Sequence, residues 1–362
     1  MKTHINDYIL KIKPYLPGKP MEELEREYGI ARSIKLASNE NPLGPAPKAL
    51  AAIEKSLSRL NRYPDGSCYD LIHTLSQRLN TSHQQIVLGN GSDEIITMLS
   101  KLLLSPGCEA IIPQPSFLIY DIAVRCCGAT SVYVPLKGFS ICLKDIERRI
   151  SSKTRMIFLC NPNNPTGTII RKSDFDDFLA AVPPGVVIVI DEAYVEFVRD
   201  PQCLSGIDYL DSGKNIVVLR TFSKVYGLAG LRIGYGVMPE QLAELVNRIR
   251  LPFNVNSLGQ VAAMAALEDK EFFEKTLRLV HGELDFLYAS LDKAGVDYFP
   301  SQTNFFLIDV RKNADEVYEQ LLRHGVIVRS MASYGYPEYI RVTVGLHEEN
   351  VRFIRALEKV MS

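Results

Sequence analysis

The sequence predicts an α/β fold: a large domain with a mostly parallel sheet flanked by helices, plus a smaller α+β domain. Three observations carry that prediction. Six short β-branched runs alternate with amphipathic helical patterns through the middle of the chain. Helical segments, rather than tight hairpin turns, separate those runs. After "LPFNVNS" (251–257) the alternation stops, and a long helical stretch rich in Ala, Glu and Leu takes over.

In chain order, the first strand is expected at "QIVLG". It turns through "GNGSDE" into a helix from Asp93 to Leu104, where Ile95, Ile96, Leu99, Leu102 and Leu103 share one face. "EAIIP", "SVYVP", "RMIFLC", "VVIVID" and "NIVVLR" follow as further strands. Two late strands, "TNFFLIDV" and "YIRVTVG", flank the helical "ADEVYEQLLRHG". The expected division is a large domain over 45–255, with an N-terminal arm (1–44) joined to a small α+β domain over 256–362.

Composition narrows the function. Of 362 residues, 46% are hydrophobic and 23% charged, and the net charge is −1, the balance of an ordinary globular protein. No basic block dominates any segment, so no nucleic-acid partner is expected. No apolar run approaches the length of a membrane span, and the N-terminal stretch lacks a signal-peptide core, so a cytoplasmic location without a membrane partner is expected. Seven cysteines without a CxxC and six histidines without an HExxH predict reduced core thiols and no metal.

Ligands of open α/β sheets bind beyond the carboxyl ends of the strands. Those ends are loaded here: "RMIFLC" runs into "NPNNPTGT", "VVIVI" ends in "DEAY", and "NIVVL" leads into "RTFSK". "GNGSDE" has Glu94 where a dinucleotide fingerprint needs its third glycine, which argues against a Rossmann site. Its turn through Gly89 and Gly91 suits an anion at a helix N-terminus, near Ser92. Asp93 beside an anion would be repulsive, so its side chain is expected to cap the helix or face away. Neither a GxSxG elbow nor a GxxxxGK[ST] loop occurs. An anion cradle, an acid at a strand end, an amide, a tyrosine and one lysine suit a cofactor with a phosphate, a basic ring nitrogen, a phenolic oxygen and an aldehyde. Pyridoxal 5'-phosphate has all four, and Lys224 would hold it as a Schiff base.

The blocks "SNENPLGP", "RYPDGS", "CNPNNPTGT", "DEAYVEF" and "RTFSKVYGLAGLRIGYG", in this order, resemble the fold-type-I pyridoxal-phosphate aminotransferases, and within them the histidinol-phosphate aminotransferase family. The resemblance implies that Lys224 binds the cofactor and then shuttles a proton, that Asp191 pairs with the pyridine nitrogen, and that Asn161 and Tyr194 are partners of the phenolic oxygen. It assigns the phosphate to Gly91 and Ser92, with Asp93 adjacent, and to Thr221, Ser223 and Arg232. Phe117 would stack on the cofactor where many relatives carry tyrosine. Tyr63 is similar to the tyrosine that reaches the neighbouring subunit's cofactor, which implies a homodimer.

At the substrate end the resemblance implies Arg341 and Arg329 as anion-binding groups, Tyr15 as a lid residue and Asn39 in the loop lining the entrance. The expected reaction is transamination between histidinol phosphate and 2-oxoglutarate, in histidine biosynthesis. An aromatic amino acid aminotransferase and a threonine-phosphate decarboxylase share the cofactor motifs and stand as alternatives. A non-catalytic regulator built on the same fold is a further one.

Overall fold

The computed structural model describes residues 4–15 and 17–361. A seven-stranded sheet is built from β1 (Ile86–Gly89), β2 (Glu109–Gln114), β3 (Thr130–Pro135), β4 (Thr154–Cys160), β5 (Val187–Asp191), β6 (Asn215–Thr221) and β7 (Gly234–Val237). Its spatial order is β1-β7-β6-β5-β4-β2-β3. All neighbours run parallel except β7, which is antiparallel to both β1 and β6. The six expected strands are all present. β7 is the one the sequence conceals, because "GYGV" alternates glycine with larger residues and glycine is a poor strand former.

The central strands are buried on both faces, and their alternation divides the core. Val187 and Val189 of β5 and Val217 and Leu219 of β6 pack with Ile95, Leu99 and Tyr120 on one side. Ile188, Ile190, Ile216 and Val218 pack with Phe175 and Phe178 on the other. The helix expected from Asp93 runs Ser92–Leu103 and buries Ile95, Ile96 and Leu99, as its periodicity predicts.

Beyond a 25-residue helix, Lys270–Ala294, lies a second, antiparallel sheet: β8 (Tyr298–Phe299), β9 (Phe305–Asp309), β10 (Arg329–Ser330) and β11 (Tyr339–Thr343), in the order β10-β11-β9-β8. The helix starts on Asp269, whose side chain accepts from the Phe272 N–H, and stops at Gly295 in a left-handed conformation. Ile34–Lys35 pairs in parallel with Val326–Ile327 as a separate two-stranded sheet, tying the N-terminal segment to the chain just before β10. Phe222, just past β6, and Phe305 of β9 belong to the same buried cluster, so the two sheets share a core. No helix among the described residues is long and apolar enough to cross a membrane.

Candidate active site

Strands β4, β5 and β6 end side by side, with Cys160 opposite Asp191 and Asp191 opposite Leu219. The loops leaving these ends enclose a cavity of about 260 Å³. Asp191 is part of its lining. It is 3% exposed, and burial is the largest influence on its carboxyl, raising it to about 6 against the counteracting hydrogen bond from Tyr120. The Tyr120 hydroxyl donates to Oδ2 at 2.7 Å, and the Ala193 N–H donates to Oδ1 at 3.2 Å. Tyr120 is fully buried, stacked on Phe158 at 4.6 Å, and meets Phe117 edge-on at 5.6 Å.

Lys224 enters from the loop after β6. Its Nζ donates to the Ser38 carbonyl at 3.3 Å and lies 5.5 Å from the Tyr194 ring centre. Burial, with Arg341 next in size, lowers its ammonium to about 8, while Glu40 and Asp93 oppose the shift. A lysine so poised is partly neutral near physiological pH, as a nucleophile or general base requires.

Another part of the lining is an anion cradle. Gly91 precedes the helix at Ser92, whose first-turn N–H groups have no intrahelical acceptors. Gly91 has φ +78°, and a Cβ there would meet Arg232 Nη2 at 2.6 Å; one on Gly234 would meet the Ser92 nitrogen at 2.5 Å. Both positions thus keep the cradle open by lacking a side chain. Ser92, Thr221, Ser223 and Arg232 line it, and the Thr221 hydroxyl donates to Ser223 Oγ at 3.0 Å. Asp93 neither caps the helix nor faces away: it lines the cavity and accepts from Arg232 Nη2 at 3.2 Å. That ion pair offsets the repulsion the sequence implies. Burial still raises the Asp93 carboxyl, with Arg232 opposing.

The three asparagines of "NPNNPTG" divide the work, and the expectation for Asn161 is corrected. Its amide is fully engaged in holding the fold, donating to the Leu204 carbonyl at 2.8 Å and accepting from the Ile170 N–H at 2.8 Å, and it does not line the cavity. Asn163 is engaged with Ser116 and Thr166, each at 2.9 Å. Asn164 is the one that faces the cavity, its Oδ1 accepting from Arg341 Nη1 at 2.6 Å. Tyr194 and Phe117 also line it.

A smaller cavity of about 90 Å³ adjoins the first, sharing Ser38, Phe117, Asn164, Tyr194 and Lys224 with it. Tyr15, Asn39, Arg329 and Arg341 line it, together with Tyr334. Arg341 of β11 and Arg329 of β10 are register partners. Arg341 is 7% exposed, donates from Nη2 to the Ala37 carbonyl at 2.7 Å, and keeps Nε without a partner among the described residues. Arg329 lies over the Tyr15 ring at 5.9 Å. Tyr63 stands apart: it is 83% exposed, stacked on Phe253 at 4.7 Å, and lines neither cavity.

Sequence reasoning missed Tyr120, Asn164, Ser38 and Tyr334. Tyr120 had a signal, falling three residues after Phe117 and so within one helical turn of it. Ser38, which acts through its carbonyl, had none.

The family model for class I and II aminotransferases matches residues 31–357. Histidinol-phosphate aminotransferase from Desulfotalea psychrophila is 48% identical over 360 residues, 99% of this chain and 95% of that one. Histidinol-phosphate aminotransferase 1 from Nitrosococcus oceani is 47% identical over 350 residues, 97% and 95%. The crystal structure of histidinol-phosphate aminotransferase from Sinorhizobium meliloti in complex with pyridoxal-5'-phosphate matches with a TM-score of 0.91 at 27% identity, covering 100% of this chain and 98% of that one. With a lysine, a buried carboxylate and an anion cradle lining one cavity on a fold-type-I scaffold, the chain belongs to the class I and II aminotransferase family.

Proposed function

We propose that the protein is a pyridoxal-phosphate-dependent histidinol-phosphate:2-oxoglutarate aminotransferase of histidine biosynthesis. The observation that carries the reading is that Lys224, Asp191 and the Ser92–Arg232 cradle line one cavity, and that Lys224 also lines the adjoining one with Arg329 and Arg341. The donor set suits the cofactor: a glycine-lined cradle with a guanidinium for the phosphate, and a buried carboxyl in the same cavity for the ring nitrogen. When bound, pyridoxal phosphate supplies an aldehyde that takes up the amino group and a cationic ring that withdraws electrons.

The chain's own residues do the rest. Ser92, Thr221, Ser223 and Arg232 bind the phosphate, with Asp93 orienting Arg232. Asp191, held by Tyr120, keeps a carboxylate at the ring nitrogen. Asn164 and Tyr194 donate to the phenolic oxygen, and Phe117 covers the ring. Lys224 takes and returns the proton at the substrate's amine-bearing carbon, a role suited to a group lowered to about 8. Arg341 and Arg329 bind the phosphate of one substrate and the carboxylate of the other.

In the same reading two copies pair so that the exposed Tyr63 reaches the partner's cofactor phosphate, and the division at 45–255 separates cofactor-binding from substrate-closing parts. Seven unpaired cysteines agree with a cytoplasmic, reducing setting. The test is to load the protein with pyridoxal phosphate and add histidinol phosphate, phenylalanine or phosphothreonine separately. Histidinol phosphate should bleach the visible cofactor band, and 2-oxoglutarate should restore it with release of glutamate. Bleaching by phenylalanine alone would overturn the substrate, and carbon dioxide released from phosphothreonine would overturn the reaction.

A further inference from the structure

Asn39 was expected at the substrate entrance, yet its polar groups are already committed. It is 2% exposed and sits at φ 55°, a left-handed conformation that asparagine tolerates better than most residues. Its N–H donates to Thr343 Oγ1 at 3.0 Å, and its Oδ1 accepts from that same hydroxyl at 2.9 Å. Its carbonyl accepts from Asn304 Nδ2 at 3.1 Å. Its Nδ2 donates to the Tyr194 hydroxyl at 2.9 Å.

The sense of this chain follows from its first bond. A backbone N–H can only donate, so Thr343 Oγ1 accepts there and gives its own proton to Asn39 Oδ1. The amide nitrogen is then the atom facing Tyr194. A phenol that accepts from Asn39 must send its own proton elsewhere, and no described residue takes it; the cavity lies on that side.

We propose that Asn39 is a positioning residue that makes Tyr194 a hydrogen-bond donor into the cofactor cavity. The inference rests on the proposed function, in which Tyr194 meets the cofactor's phenolic oxygen. Thr343 of β11 anchors Asn39, so the small sheet reaches the phenol through two side chains. The charged and titratable groups facing that phenol are Lys224, Arg341, Asp191 and Cys160, and none of them is hydrogen-bonded to its oxygen.

The test is a spectrophotometric pH titration of the visible band in the cofactor-loaded protein. A donor on the phenolic oxygen favours its ionised form, so losing that donor moves the midpoint to higher pH. Asn39→Ala should raise the midpoint by roughly half to one pH unit, the size of one hydrogen bond. Combined with Tyr194→Phe, it should add nothing to the shift of Tyr194→Phe alone. Thr343→Val, which keeps the shape and removes the anchor, should shift the midpoint the same way and serves if Asn39→Ala does not fold. An unchanged midpoint with a raised KM for the amino donor would overturn the proposal in favour of a substrate contact. Additive shifts in the double variant would overturn it as well. Failure of the wild-type protein to develop a visible band with pyridoxal phosphate would overturn the proposed function, and this inference with it.

Discussion

The hydroxyl of Tyr120 donates to Oδ2 of Asp191 at 2.7 Å, from a ring clamped between Phe158 and Phe117. Burial drives the Asp191 carboxyl upward, and this bond works against that drive. Tyr120→Phe should therefore raise the carboxyl above about 6, weakening the charged partner offered to the ring nitrogen. Activity should fall about tenfold, the cost of one hydrogen bond to a charged group, and the acidic limb of the pH profile should move to higher pH. Measuring kcat/KM against pH checks both outcomes.

Lys224→Met should abolish transamination yet stabilise the cofactor-free chain. The lysine falls from 10.5 to about 8 on folding, so between those values the unfolded state binds more protons than the folded one. The resulting destabilisation is complete below about pH 8 and fades as pH rises to 10.5. A melting temperature a few degrees higher than wild type at pH 7, converging with it near pH 10.5, is the expected result of calorimetry on both proteins.

Gly234→Ala probes the cradle. The new Cβ would lie 2.5 Å from the Ser92 nitrogen, a contact with backbone that no side-chain movement relieves. The expected cost is about 1–3 kcal/mol of stability together with weaker binding of pyridoxal phosphate. Denaturant unfolding and a cofactor titration measure the two separately.

Arg341→Lys keeps the charge and loses the fork that now engages Asn164 and Ala37. KM should rise about tenfold or more for both the donor and the 2-oxo acid, with kcat less affected. A change confined to one of the two substrates would show that they do not share this group.

Tyr63 contributes to neither cavity of its own chain. In the proposed dimer, Tyr63→Ala and Lys224→Ala proteins, each impaired alone, should regain activity when mixed and allowed to exchange subunits. One site of the hybrid then receives an intact lysine and an intact tyrosine. Kinetics on the mixture, with sedimentation to establish the dimer, checks this.

The three asparagines after β4 mark where sequence reading stops. "NPNNPTG" announces an amide at a strand end, but Asn161, Asn163 and Asn164 are chemically identical. Only the path of the loop decides that the first two serve the backbone and neighbouring side chains while the third faces the cavity. Tyr120 is similar: it reads as a core aromatic, and its hydroxyl gains meaning only beside Asp191, 71 positions away.

The sequence by itself determined the alternation of buried strands and helices, the lysine after β6, the acid ending β5 and the glycine turn before Ser92. All of these are local signals, carried by periodicity or by residue types that a strand end or a turn demands. The tertiary structure decided β7, whose Gly234 is suited to the close approach of the Ser92 backbone. It also decided which asparagine faces the cavity, and the ties of Tyr120 to Asp191 and of Asn39 to Tyr194. Those depend on side chains converging from distant segments, and a hydrogen bond's direction is settled only when both partners are in place.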